Sequence, residues 1–490
     1  MKMKFKYYIG VALAAVTMVG CSEEFLESEP TEFVSSTQLA EYSEDNPALQ
    51  AGNVSGIYAL MYEPETGGTT GHDDYGQKGY DVYSDMLSSD MVLGGLTYGW
   101  YSGIARMTAT IDNTDNRNYI PWRYYYRIIF SANNVIGSLG GNDAVPETEE
   151  GRIYMGQAKA MRGYAYFYLA QFYSEGYNPS TPILPIYTDT QTNAQPLSPT
   201  SDVYDLIVSD LTDAVDLLDG WNRSGKEQVN KYVAEGLLAY AYAAMGDYAS
   251  VLPLTEDIIN NGGFVLTNAE QALGGFNTVT SPGWMWGMDL TENQGLNLVS
   301  WWGQMDIFTY SYAYVGDPKA IDLGLYNSIP DGDVRKDQFE IVEGFGANMP
   351  LPINKFYPEE RELGGQRYIS TDYVYMRVAE FYLLHAEAAA KTGDEATAQQ
   401  YLAMLLEERV DDTSYVNGLS GQALENEIYL QTRVELWGEG KSYLAMKRNE
   451  ATITRGSNHL LLAGESFNYN DERLSFEIPN SEIQNNPNID

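Results

Sequence analysis

Residues 151–187 read GRIYMGQAKAMRGYAYFYLAQFYSEGYNPSTPILPIY, and this stretch decides the fold. Ala158, Met161, Ala165, Tyr168 and Phe172 recur at steps of three and four, which sets them on one face of a helix. Small residues at Ala158, Ala160, Gly163, Ala165 and Ala170 let a second helix approach. Tyr164, Tyr166, Phe167 and Tyr168 fill the gaps, the packing expected of antiparallel helix hairpins. Gly176 is the expected stop: a glycine past the last periodic residue accepts a left-handed C-cap, and Pro182 and Pro185 hold the exit extended.

Working outward, IPWRYYYRIIFSANNVIGSL at 120–139 predicts the preceding helix, with Trp122 in the core. SDVYDLIVSDLTDAVDLL at 201–218 predicts the following one, with Ser201 and Asp202 as N-caps and a stripe of Val203, Ile207, Leu211 and Ala214. Two later segments align on Gly246-Asp247 and Gly393-Asp394, which sets Ala239, Ala241 and Ala243 opposite Ala386, Ala388 and Ala390. Both read helix, Gly-Asp turn, helix, the layout of tetratricopeptide-like hairpins that stack because neither buries its apolar face alone. The fold class is therefore mostly α: a tetratricopeptide-like helical-hairpin scaffold. His385 shares a stripe with Val378 and Phe381 and reads as a core histidine, and His459 belongs to no recognisable constellation.

From 262 to 371 helical periodicity fails, so a long, irregular, loop-rich insertion interrupts the scaffold. PGWMWGMDL within it alternates like a strand. LNLVSWWGQMDIFTYSYAYVGDP follows, with Trp301, Trp302, Phe308, Tyr310, Tyr312 and Tyr314. The alternation from Phe308 to Tyr314 suits either a ligand surface or one buried face of a strand. Earlier in the chain, LGGLTYGWYSG sets Tyr98, Trp100 and Tyr101 among four glycines, which predicts rings on a loop that are either buried plugs or a platform for a ligand. His72, Asp73 and Asp74 lack the ligand spacing of a calcium loop and read as a solvated loop. DNTDNRN at 112–118 lacks it too and reads as a helix entry.

A formal net charge of -39 makes nucleic acid an unsuitable partner, because such a field repels a phosphate backbone and no Lys/Arg cluster offers an exception. The chain holds 40 tyrosines and 8 tryptophans, rings suited both to helix packing and to stacking on the apolar faces of sugars. With one cysteine, Cys21, there is no intrachain disulfide and no cysteine-based metal site. No G-x-S-x-G or H-E-x-x-H occurs, and Gly440-Lys441-Ser442 lacks the upstream glycine of a phosphate loop. Counting carboxylates does not by itself remove a glycosidase pair. The expectation is nonetheless no catalytic residues, no cofactor and no metal. Lys2, Lys4 and Lys6, the apolar run from Tyr7 to Val19, and Gly20 before Cys21 form a secretion leader too short to anchor by itself.

Several motifs resemble the SusD/RagB family, the surface glycan-binding lipoproteins of Bacteroidetes nutrient uptake systems. The 151–187 stretch resembles its signature helix, and PWRYYYRIIFSANNVI resembles its W-x-x-Y-Y-x-x-I-x-x-A-N-x-V-I segment. DGDVR at 331–335 resembles its D-x-R. RVELWGEGKSYLAMKR at 433–448 resembles its R-x-E-L-x-G-E-G motif, with Lys441 in place of His and Ala445 in place of Asp. FEIPNSEIQNNPN at 476–488 resembles its ending, and MVGC resembles a lipobox, with Met18 in place of the usual leucine.

The resemblance implies a signal peptide over 1–20, a tether over 21–50 that starts with lipidated Cys21, and a SusD-like domain over 51–490. Within that domain the scaffold would occupy about 118–261 and 371–448, and the ligand-binding insertion about 262–370. It also implies a glycan ligand, a SusC-like TonB-dependent outer-membrane barrel as partner, and a place on the cell surface held by the acyl chains of Cys21 in outer-membrane lipid. The implied stacking residues are Tyr98, Trp100, Tyr101, Trp301, Trp302 and Tyr310. A RagB-like peptide cargo, a repeat scaffold that binds no sugar, and a glycoside hydrolase are the alternatives.

Overall fold

The computed structural model describes residues 47–345 and 349–489, so the leader, Cys21 and most of the tether lie outside the described residues. The longer helices are α1 (Ala51–Ala59), α2 (Gln77–Leu87), α3 (Asn116–Ser138), α4 (Glu149–Phe172), α5 (Thr200–Leu217), α6 (Lys231–Met245) and α7 (Tyr248–Asn261). After the insertion come α8 (Ala379–Thr392), α9 (Glu395–Leu406), α10 (Gly421–Glu435) and α11 (Ser442–Arg448). No helix among the described residues is long and apolar enough to cross a membrane.

Helix α4 is the spine. Thr148 caps it by accepting the Gly151 N–H, and Glu149 and Glu150 in the first turn favour its positive end. It packs between α3 and α5, burying Tyr164, Tyr166, Phe167 and Tyr168. Arg162 is buried too: its guanidinium forks onto Asp210 at 2.7 Å and reaches the Asn133 carbonyl at 2.8 Å, pinning α5 and α3 to the spine. The helix ends at Phe172, four residues before Gly176. The buried Lys447 ammonium takes the Gln171 and Ser174 carbonyls, and those acceptors end the helix before the glycine is reached.

Asp115 caps α3, as the helix-entry reading of DNTDNRN expects. Helix α5 instead opens after Pro199 with no side-chain cap, so Ser201 and Asp202 fall inside its first turn. The paired Gly-Asp turns match in detail. Gly246 and Gly393 take φ of 77° and 88°, while Asp247 and Asp394 accept from Ser250 N–H and Thr397 N–H to start α7 and α9. The two hairpins pack on each other through α7 and α8. His385 sits at that contact, with Nδ1 2.8 Å from the Thr255 hydroxyl and its ring 3.9 Å from that of Tyr401, as a core histidine should. His459 is also structural, its Nε2 lying 3.2 Å from the Ser89 carbonyl and 3.3 Å from Asp322.

The motif at 433–448 is the electrostatic hub. Glu435 accepts from Arg409 at 2.9 Å, from Arg377 at 2.8 Å and from Arg335 at 3.4 Å. Glu439 pairs with Arg377 at 2.6 Å and with Lys355 at 2.9 Å. Burial alone would raise both carboxyls. The surrounding cations outweigh it, holding Glu435 well below the usual carboxylate range and Glu439 at about 2. Arg335 belongs to the DGDVR segment and Lys355 to the insertion, so this hub staples the insertion to the scaffold. Lys441, one of the two departures from the family motif, reaches the Tyr375 carbonyl at 3.0 Å and lies 3.8 Å from Glu380.

The insertion's β2 (Trp284–Met288) pairs antiparallel with β4 (Tyr373–Arg377), the strand that leads back into the scaffold. The expected strand at WMWGM is present, and both its tryptophans are buried. A second ladder joins β1 (Met91–Leu93) to β3 (Lys319–Ile321), with Leu93 opposite Lys319.

Candidate functional site

The β1/β3 register is what brings two distant segments together. The chain leaving Leu93 and the chain entering Lys319 lie at the same end of the ladder, so residues 94–101 run beside 306–318. Gly94 N–H donates to the Pro318 carbonyl at 2.7 Å. A Cβ at Gly95 would sit 1.8 Å from the Gly316 oxygen, so only glycine allows this approach. The buried Asp317 carboxylate then accepts three successive N–H groups, from Thr97, Tyr98 and Gly99, at 2.5, 2.8 and 2.7 Å. One side chain of the insertion thus fixes the turn that carries Tyr98 and Trp100.

On this frame the rings gather. Trp100 stacks on His72 with centroids 4.9 Å apart and planes 6° from parallel. Tyr312 meets Tyr98, His72 and Trp100 edge-on at 5.1, 5.8 and 6.2 Å, and its hydroxyl lies 2.5 Å from His72 Nδ1. Burial lowers the pKa of His72, which keeps the imidazole neutral near pH 7 and able to accept from the Tyr312 hydroxyl. The backbone of Trp100 is held by Arg117, which donates to its carbonyl at 2.8 Å and ion-pairs with Asp73 at 3.1 Å. Tyr98 is 58% exposed, and Tyr310 and Tyr314 stand out from the neighbouring turn with centroids 6.4 Å apart. Arg367 lies over Tyr310 at 4.5 Å. The exposed rings are therefore Tyr98, which packs against buried Tyr312, and the Tyr310–Tyr314 pair of the adjoining turn, with Trp100 half-buried between Tyr312 and His72.

Three of the rings expected to stack on a ligand are instead part of the core. Tyr101 is fully buried, its hydroxyl 2.5 Å from that of Tyr75. Trp302 is fully buried and Trp301 nearly so. They pack edge to face at 4.9 Å, with Phe356 on Trp301 at 4.7 Å, and Trp302 Nε1 points to the Asp372 carbonyl at 3.3 Å. No ligand face remains on any of the three. The segment from Phe308 to Tyr314 is a series of turns rather than a strand: Phe308 and Tyr312 go inward, and Tyr310 and Tyr314 outward.

The solvated loop expected at His72, Asp73 and Asp74 is solvated only in part: Gly68 and Thr70 are exposed and His72 half-buried, while Asp73 and Asp74 are buried. Asp74 accepts from Gly67 N–H, Thr69 N–H and the Thr69 hydroxyl at 2.7–2.9 Å, folding the loop around a buried carboxylate. Burial pushes Asp73 up to about 6 against the pull of Arg117. Nothing in the spacing links residue 72 to 100 and 312, and the G-H-D-D cluster was the only available signal. Among the described residues no group of three His, Cys, Asp or Glu side chains is placed to hold a metal ion.

A helical-repeat scaffold that presents an aromatic surface from its loops defines a class of binding protein. Residues 76–244 match a family model described as "Starch-binding associating with outer membrane", and residues 343–490 match one described as "SusD family". The chain belongs to the SusD/RagB family. It is 25% identical over 313 residues to a SusD-like protein of Bacteroides ovatus, covering 63% of this chain and 47% of that one. It is 24% identical over 187 residues to SusD-like protein P25 of Formosa agariphila, covering 38% and 32%. Each match thus spans less than half of the relative's length. A crystal structure of a SusD-like carbohydrate binding protein from Bacteroides vulgatus superposes with a TM-score of 0.77 at 26% identity, covering 93% of this chain and 98% of that one. Residues 245–342, which carry the outer half of the platform, fall between the two family matches.

Proposed function

We propose that the protein binds glycans without cleaving them, through the surface formed by Tyr98, Trp100, Tyr310 and Tyr314, with His72 and Tyr312 holding the rings in place. The observation that carries this reading is the Trp100–His72–Tyr312 cluster, in which a buried Tyr312 and half-buried His72 and Trp100 back the exposed ring of Tyr98 on a turn fixed by Asp317. Aromatic faces with polar edges suit the apolar faces of pyranose rings. Asp317, the carboxylate nearest in sequence to these rings, has its oxygens taken up by three backbone N–H groups, which leaves it unsuited to acid–base work. Family membership supports the rest: lipid attachment at Cys21, a place on the outer face of the outer membrane, and delivery of the captured oligosaccharide to a SusC-like TonB-dependent barrel.

A glycan array probed with the wild-type protein and with Trp100→Ala, beside an assay for released reducing ends, tests the reading. Expected are at least one glycan ligand weakened in the variant and no new reducing ends. Binding confined to peptides, or glycan binding indifferent to Trp100, would refute it. For the anchor, Cys21→Ala should move the protein from the outer-membrane fraction to the soluble one.

A further inference from the structure

A second groove lies along the outer face of α3, away from the Trp100 cluster. Helical spacing sets Trp122, Tyr126 and Phe130 in one row and Arg123 and Arg127 in the row beside it, and Tyr187 and Glu482 close the far wall. The cavity measures about 630 Å³, room for a short oligosaccharide. Tyr126 is held by Trp122 at 4.9 Å, by Tyr187 at 6.0 Å and by its own hydroxyl, which donates to the Pro185 carbonyl at 2.8 Å. Phe130, by contrast, is 55% exposed among the described residues.

The charge of this groove runs against that of the whole chain. In a protein with 29 basic and 68 acidic residues, it is lined by two arginines and a single carboxylate, Glu482, which accepts from Asn486 at 2.9 Å. Neither arginine lies within 4.0 Å of a carboxylate oxygen among the described residues. Each is positioned through one nitrogen only. Arg127 donates to the Thr66 carbonyl at 2.7 Å, and Arg123 to the Tyr119 hydroxyl at 3.0 Å. Both arginines are exposed residues, and among the described residues their remaining N–H groups have no acceptor within hydrogen-bond reach. Two forks with donors to spare beside a row of ring faces form a receptor for a flat ring that bears a carboxylate.

We infer that this groove is a second glycan subsite, selective for a uronic acid residue: the sugar ring lies on Tyr126 and Phe130, and its carboxylate is forked by Arg123 and Arg127. It does not depend on the Trp100 surface, although one loop touches both. Thr66 and Gly68 of that loop lie against Arg127 and Arg123, and its His72 stacks on Trp100.

Calorimetry with the full chain is the test, using tetragalacturonate and tetramannuronate, with maltotetraose as the neutral arm and a heparin tetrasaccharide as the sulfated arm. Arg123→Gln/Arg127→Gln removes both charge-assisted forks and should weaken uronate binding by about tenfold or more. Phe130→Ala, an exposed position whose loss leaves the fold intact, should weaken it by about threefold. The loss caused by the arginine double variant should be the same size when measured in a Trp100→Ala background, which separates failure here from failure of the platform. The inference is overturned if the wild type binds neither uronate, if the double variant binds as the wild type does, or if the sulfated arm binds more tightly. Tighter binding of a synthetic peptide of residues 22–46 would also overturn it, by assigning the groove to the chain's own acidic tract.

Discussion

The insertion contains two aromatic clusters that are alike in composition and opposite in fate. Trp301 and Trp302 pack with Phe356 at the edge of the charge hub, whereas Tyr310 and Tyr314 stand in solvent a few residues later. What separates them is their partners. Phe356, which packs on Trp301, follows Lys355, and Lys355 pairs with Glu439 of the tail motif, so the tryptophans pack on a segment tied to the hub. Among the described residues the ring contacts of the exposed tyrosines are with Arg367, Phe345 and each other. Aromatic density along a sequence therefore says where rings are, and long-range charge pairing says which of them are spent on the core.

Variants can break or sharpen this contrast. The largest effect is expected at the hub. Glu435→Gln leaves three buried guanidiniums short of their shared carboxylate and should destabilise the protein by about 4–5 kcal/mol in urea unfolding. Trp302→Ala comes next, with about 3–4 kcal/mol lost to the cavity and no selective effect on ligand. If Trp302→Ala leaves the unfolding midpoint in place, the two clusters are not different in kind. Trp100→Ala should do the reverse, weakening the best glycan ligand by about fivefold, roughly 1 kcal/mol, with little change in the midpoint.

The smallest effect concerns pH. Burial, reinforced by the neighbouring Asp257 carboxyl, raises Glu235 to about 8. Its folded pKa is above its unfolded one, so its contribution to stability is complete in acid and is lost as pH rises through that value. Glu235→Gln should therefore make the fall in Tm between about pH 4.5 and about pH 8 shallower. An unchanged slope would mean that the group titrates normally.

Much of the scaffold is legible in the sequence because its signals are local. A 3.6-residue period over 151–172 and a Gly-Asp turn recurring at 246 and 393 each act within a dozen residues. The site is only half legible. Tyr98 and Trp100 are recognisable because large rings on a glycine-rich turn have no helix to bury them. Tyr101, the next residue, goes inward because Tyr75, 26 residues earlier, offers it a hydroxyl. His72 could not be found by any period or motif, since its role exists only once the β1/β3 ladder has placed Trp100 and Tyr312 on either side of it. Residues 323–328 and 302–305 likewise form short helices inside a span that reads as irregular, because single turns carry no period.

The Asp317 clamp has a consequence for how such a surface can change. Because one carboxylate gathers the amides of residues 97–99 and one short ladder sets the distance, residues 94–100 and 306–317 behave as a cassette. Its rings can be exchanged for others so long as the aspartate, the close approach at Gly95 and the contacts of Arg117 and His72 to residue 100 are kept. Diversification would then proceed by swapping two short peptides on a fixed mount. A chimera that carries both segments from a relative should acquire that relative's preference, and one that carries either segment alone should bind neither ligand well.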